Sequence, residues 1–297
     1  MMPITPTPPT PPTQDTTLPL GKASSYPDRY DRSLLYPISR ALGRQCITGI
    51  ARASEWAEAL PASLPFMGWD LWRGYELSWL LPSGLPQVAI LNVWVPCGSP
   101  CIVESKSFKL YLNSLNSEVF ESTTSLAERI GADLTPILGQ KARISIITAD
   151  QFAQETLQEP TGVCLDNQEV MIDRYQPDAR LLEGAAQGQP LQEQLYSRLL
   201  KSNCPVTNQP DWACVQIAYE GPAISHQALL RYIVSYREHQ GFHEQCVEQI
   251  FCDIMAQCQP TRLSVYAQYT RRGGIDINPW RATPGMPEPC AMRSAQQ

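Results

Sequence analysis

The sequence predicts an α+β protein built of two similar units in tandem, and three observations carry that reading. Stretches with strand character, at 75–96, 141–149, 211–221 and 262–274, bracket stretches with helical apolar spacing in both halves of the chain. The order strands, helices, strand occurs twice. At 297 residues the chain is long enough for two ordinary domains, each burying its own core.

Taken in order, residues 1–20, "MMPITPTPPTPPTQDTTLPL", are dominated by Pro and Thr and offer almost nothing to bury, which predicts a disordered or polyproline-like tail. "YELSWLLPSGLPQVAILNVWVP" (75–96) reads as two strands around a Ser-Gly turn. "ESKSFKLYLNSL" and "TTSLAERIGADLTPIL" carry helical spacing, and "KARISIITA" (141–149) returns to strand. The acidic, Gly- and Gln-containing stretch "DARLLEGAAQGQPLQEQ" (178–194) is read as containing the boundary, giving units at 21–177 and 178–297.

In the second unit, "DWACVQIAYEG" (211–221) alternates as a strand, and "SHQALLRYIVSYREHQG" reads as an amphipathic helix ended by Gly241. Phe242, Cys246, Ile250, Ile254 and Cys258 recur every four residues, with Val247 and Phe251 widening the stripe, so a second helix follows at once. "RLSVYAQYTRRGG" (262–274) closes the unit as a strand running into a glycine turn.

A net charge of −6 argues against a nucleic-acid surface, which needs a basic field, and favours a small-molecule or protein partner. No apolar run is long enough to span a bilayer and the N-terminus lacks the order of a signal peptide, so a cytoplasmic protein is expected. The ten cysteines then read as reduced thiols, with Cys246 and Cys258 in a helix core. Cys97 and Cys101, in "PCGSPC", have metal-like spacing, but no second pair or nearby histidine completes four ligands, and no metal is expected.

Four stretches could carry chemistry. In "LKSNCPVTNQPDW" (200–212), Cys204 sits among polar residues, which predicts an accessible thiol, and Pro205 and Pro210 can bend the loop so that Asp211 reaches it. Taken alone, Asp211 reads equally as a turn residue. In "GFHEQ" (241–245), His243 and Glu244 open a helix beside that loop; either they meet a ligand, or Glu244 complements the helix dipole and His243 is solvated. "VESKSFKLYLN" (103–113) brings Glu104, Lys106 and Lys109 to a helix start, as a phosphate site or a solvated face. "YTRRGGIDINPWR" (269–281) places paired arginines before two glycines, where a backbone can approach a phosphate, although no Rossmann glycine pattern is present.

Together these stretches resemble the NADPH-dependent 7-cyano-7-deazaguanine reductases, the nitrile reductases of queuosine biosynthesis. "ESKSFKLYLNS" is similar to the family's signature motif, and "SNCPVTNQPDW", "FHEQCVE" and "YTRRGGIDINPWR" resemble its other characteristic segments in the same order. The likeness runs from about Leu20 to Arg281 and is to the long, two-unit members. It implies two tunnelling-fold units, as in GTP cyclohydrolase I, with antiparallel sheets and paired helices, and a homodimer.

The resemblance also implies roles. Cys204 matches the nucleophile that attacks the nitrile carbon to form a thioimidate, and Asp211 the residue that moves its proton. Glu104 and Glu244 match acceptors for the N–H groups of the substrate's pyrimidine edge, lined by Val103, Ser105 and His243. Ser105, Lys106, Arg272 and Gly273 match NADPH-binding positions, with two NADPH consumed per turnover because nitrile to amine is a four-electron change. Phe242 is added as a ring over the heterocycle, or equally a core residue. The rival readings are a non-catalytic or different-chemistry tunnelling-fold protein that binds a pterin or purine through the same glutamate, and a scaffold in which Cys204 is structural.

Overall fold

In the computed structural model, residues 27, 29–50, 64–291 and 293–297 are described. The predicted tail at 1–20 lies outside them. A short strand β1 (Pro37–Ser39) runs into a one-turn helix α1 (Arg40–Arg44). Two long strands follow, β2 (Met67–Leu80) and β3 (Pro86–Pro96), then β4 (Cys101–Val103), which pairs with β1. Next come helices α2 (Ser105–Ser114) and α3 (Thr123–Leu138), and strands β5 (Arg143–Thr148) and β6 (Val163–Cys164). The second half holds β7 (Ala186–Asn203), β8 (Pro210–Ile224), helices α4 (His226–Ser235) and α5 (His243–Cys258), then β9 (Arg262–Tyr269) and β10 (Ile275–Ala282).

The predicted α+β order is therefore present in both halves, and the two halves share one sheet. Eight strands run β5-β3-β2-β10-β9-β8-β7-β6, antiparallel except for the short β6–β7 pair. The join is β2 against β10, in register from Gly74↔Ile275 to Met67↔Ala282. Side chains alternate across this join and sort into two faces. Trp72, Ile275 and Ile277 face the helices, whereas Trp69, Leu71, Trp280 and Ala282 form an aromatic cluster on the opposite face with Tyr266. The helix face carries two cores, one under α2 and α3 with Phe108, Leu126, Ile130 and Leu134, the other under α4 and α5 with Leu229, Ile233, Val247 and Ile250.

Sequence features explain most boundaries. Ser122 caps α3 by accepting from the Ser125 amide, and Gly139, at φ +71°, ends it in the left-handed conformation. The expected stripe on α5 is buried from Cys246 to Cys258, and Phe242 at its start is half-buried.

The observed elements differ from the expected ones at three places. The stretch at 178–194, read as containing the boundary, includes the start of a strand, because β7 begins at Ala186 and pairs with β8 out to Ile224; its polar side chains are largely exposed, and ladder hydrogen bonds alone define it. The helix expected to end at Gly241 stops at Ser235 and tightens into a 3₁₀ turn at Tyr236–Glu238. Strand β10 was not predicted at all, since Asp276, Asn278 and Pro279 interrupt its apolar pattern; its eight residues are all buried, with polar groups on one face paired to each other and to Tyr75 and Leu71.

Beneath α5, at the join, lies a buried ionic network. Arg281, fully buried, donates to Asp70 at 2.8 Å and to Glu248 at 2.8 Å and 3.1 Å. Arg40 adds a 2.5 Å contact to the other Asp70 oxygen, and Arg44 reaches both oxygens of Glu248 at 2.7 Å and 2.9 Å. Burial opposes ionisation of Glu248, but the three arginines outweigh it and bring its pKa down to about 2. The network ties α1, β2, α5 and β10 into one unit.

Candidate active site

The Cys204 loop is the turn of the β7–β8 hairpin. Cys204 N–H donates to Gln209 at 2.9 Å and Asn208 N–H donates back to the Cys204 carbonyl at 2.9 Å, with Asn208 at φ 55°. Ser202 stands opposite Asp211 in the ladder, so the loop ends meet as the two prolines suggested. Cys204 and Asp211 both belong to the helix face of the sheet.

A backbone clip brings the second helix start to this hairpin. Asn203 N–H donates to the His239 carbonyl at 2.7 Å, and Gly241 N–H donates to the Asn203 carbonyl at 3.1 Å. Phe242, His243 and Glu244 at the start of α5 are thereby held beside Cys204. All four line one narrow cavity of about 80 Å³.

The far wall comes from the first half: Trp72 of β2, Ile102 and Val103 of β4, and Ser105 and Lys109 of α2. Ser105 and Lys109 are four residues apart and so share a helix face. Pro205, Asp211, Gly241, Thr270, Arg272, Ile275 and Ile277 complete the lining. One cavity thus gathers Cys204, Asp211, Val103, Ser105, His243, Glu244, Phe242 and Arg272 from both halves.

Three expected residues are not in the lining. Glu104 is buried as the N-cap of α2, accepting from the Lys106 amide at 2.8 Å and the Ser107 amide at 2.7 Å. Lys106 and Gly273 flank the cavity next to Ser105 and Arg272. Gly273 and Gly274, at φ +56° and +74°, form the two-residue turn between Arg272 and Ile275, which only residues tolerant of positive φ enter without strain.

The thiol of Cys204 is not exposed, as its polar neighbours suggested, but only 9% accessible. The polarity of that loop serves its hydrogen bonds. His243 is likewise not a solvated surface residue: its ring stacks on Tyr269 at 3.9 Å and its Nε2 lies 3.5 Å from Asp211. Asp211 also accepts from Arg272, which binds Gln209 as well. Burial favours the neutral carboxyl of Asp211, but His243 and Arg272 more than compensate, so it titrates below the ordinary range and is a carboxylate at neutral pH.

Glu244 presents the opposite case. It is 3% exposed, and burial, then the nearby Asp70 charge, raises its pKa against the pull of His243 and Arg40. Its Oε1 has no hydrogen-bond partner within the protein. A buried acceptor left open at a cavity wall is poised for a donor from a ligand.

Trp72 escaped the sequence reading, and Lys109, read there as part of a phosphate site or a solvated face, lines the cavity. Burial and the Arg272 charge lower the Lys109 pKa, and a Cβ on Gly273 would stand 3.3 Å from its Nζ. Its i+4 spacing from Ser105 was the available signal; Trp72 gave none.

Next to the clip, burial lowers the His239 pKa from 6.5 to about 4. The unfolded chain takes up that proton near pH 6.5 while the folded protein stays neutral, so stability falls as pH drops through the window from 6.5 to 4. His239→Asn should flatten this part of a denaturation-midpoint profile; an unchanged slope would place the titration elsewhere.

Known proteins resemble this chain over most of its length. Residues 26–146 match the family model described as the N-terminal part of the nitrile reductase 7-cyano-7-deazaguanine reductase, and residues 210–287 match that of QueF-like proteins. The chain is 49% identical over 279 residues to the NADPH-dependent 7-cyano-7-deazaguanine reductase of Paraburkholderia xenovorans, covering 94% of this chain and 98% of that protein. The chain belongs to the NADPH-dependent 7-cyano-7-deazaguanine reductase family. Reductases of the same name from Paraburkholderia phymatum (50% identity over 279 residues) and Verminephrobacter eiseniae (49% over 285) are covered to the same extent. The solved archaeosine synthase QueF-Like structure overlaps only 34% of this chain, although 98% of its own, at 17% identity and a TM-score of 0.29, too little to carry a statement about fold.

Proposed function

We propose that the protein reduces the nitrile of 7-cyano-7-deazaguanine to the aminomethyl group with NADPH, a step of queuosine biosynthesis, through a thioimidate on Cys204. The observation that carries this reading is the meeting of Cys204, Asp211, His243 and the unpaired Glu244 in one cavity. The two-unit division at 21–177 and 178–297, with tunnelling-fold units joined through β2 and β10, belongs to the same reading, as does a cytoplasmic homodimer. Among the described residues, no helix is long and apolar enough to cross a membrane.

Asp211 is ionised before reaction and accepts the thiol proton. The thiolate attacks the nitrile carbon, and the same proton passes from Asp211 to the nitrile nitrogen, giving a neutral thioimidate. His243 and Arg272 hold Asp211 in place and favour its return to the carboxylate. Glu244 accepts from the pyrimidine-edge N–H groups, and Phe242 with Ile102, Ile275 and Ile277 encloses the flat ring. Glu104 accepts from the Lys106 and Ser107 amides and uses its remaining lone pairs toward the same edge.

The surroundings of the Gly273 turn suit a diphosphate ligand, because Lys109 packs against it and Arg272 starts it. Ser105, Lys106, Arg272 and Gly273 would hold NADPH, which supplies hydride. After the first reduction, expulsion of Cys204 as thiolate frees the carbon for the second.

The direct test of function is stoichiometry: purified protein given the nitrile should form one aminomethyl product for two NADPH oxidised, and a one-to-one ratio would refute the four-electron reading. For Glu244→Gln, about tenfold weaker substrate binding is expected, since the amide offers one acceptor oxygen in place of two. Unchanged affinity by calorimetry would reject the role.

A further inference from the structure

Two cavity residues carry a buried polar atom without a partner. One is the Glu244 Oε1 acceptor; the other is the Trp72 Nε1 donor. Trp72 is 2% exposed and lies between Val93 and Ile277 in the sheet, its ring edge-on to Phe108 at 5.7 Å. Trp79 also has an unpaired indole N–H but does not line the cavity, so the location of Trp72 distinguishes it.

A purely packing role does not account for an indole here. A buried tryptophan normally finds an acceptor for its N–H, and leaving that bond unmade costs the desolvation of the donor. Phenylalanine would offer an aromatic ring to Phe108 without that penalty. An open donor persists at a cavity wall when a ligand completes it.

The two open atoms are chemically complementary. A carboxylate only accepts and an indole N–H only donates. A heterocycle with a ring N–H beside a ring carbonyl, as on the pyrimidine edge of a deazaguanine, can satisfy both at once. We infer that the Trp72 indole N–H donates to the ring carbonyl oxygen of the substrate and is a specificity-determining residue; this rests on the cavity being the deazaguanine site. A base with an amino group in place of that carbonyl sets donor against donor at Trp72 and ring nitrogen against carboxylate at Glu244. Both contacts reject it, so the pair selects guanine-type over adenine-type rings.

The test uses 7-deazaguanine and its thiocarbonyl analogue, which keeps the ring N–H but replaces the oxygen by sulfur, a weak acceptor. Neither has a nitrile, so no adduct forms. Calorimetry on the wild-type protein and Trp72→Phe should show about tenfold weaker binding of 7-deazaguanine to the variant and less than about threefold change for the sulfur analogue. Equal losses for both ligands would mean that the indole only packs, and no loss for either would mean that its N–H serves no ligand; both outcomes overturn the inference. A wild-type protein that binds neither ligand would instead remove the deazaguanine reading of the site.

Discussion

Cys204→Ala is expected to lower turnover of the nitrile by about four orders of magnitude or more, because it removes the group that forms the covalent bond. Substrate binding should be largely kept, since Glu244 and the apolar walls hold the ring independently of the thiol. The hairpin should also persist, because Cys204 contributes backbone hydrogen bonds to Gln209 and Asn208 that alanine retains. Steady-state assays of NADPH oxidation together with calorimetry separate the two effects. Turnover within tenfold of wild type would rule out nucleophilic catalysis by this residue.

Arg281→Met should produce the largest loss of stability, about 3–5 kcal/mol in chemical denaturation. The guanidinium is fully buried and joins Asp70 to Glu248, and removing it strands two carboxylates with a smaller share of positive charge. Because the folded pKa of Glu248 is about 2 in the intact network, its contribution is fully present above the unfolded carboxylate range and is lost as pH falls toward 2. The variant should therefore lose less stability than wild type over that acid range. The site should weaken too, since Glu244 lies one turn before Glu248 on α5 and close to the Asp70 and Arg40 charges. A variant as stable as wild type would mean that the network is replaceable by packing alone.

Much of this architecture was legible where one face of an element is apolar and the other is wet. The paired strands at 75–96, the helix at 123–138 and the stripe from Phe242 to Cys258 all follow from periodicity that the fold uses directly. Strand β10 was hidden because both its faces are covered, so Asp276 and Asn278 are buried in mutual hydrogen bonds and break the expected alternation. The first part of β7 was hidden for the opposite reason, having little apolar surface at all.

The site was legible as motifs but not as geometry. Spacing alone left Asp211 open between a catalytic and a turn residue, and His243 between a ligand contact and a surface residue; the likeness to a family assigned their roles. The clip from Asn203 to His239 and Gly241, which sets the two segments side by side, depends on backbone groups that carry no sequence signal. The same holds for Trp72, which shares one cavity with Glu244 in a fold where β10 docks on β2.

The central claim is covalent capture of the nitrile by Cys204. Intact-mass measurement of the protein mixed anaerobically with 7-cyano-7-deazaguanine, without NADPH, tests it most directly. The predicted result is a mass increase equal to one substrate molecule, absent in Cys204→Ala and discharged on adding NADPH. Folded, substrate-binding protein that gains no mass, or gains it equally in Cys204→Ala, would contradict the account.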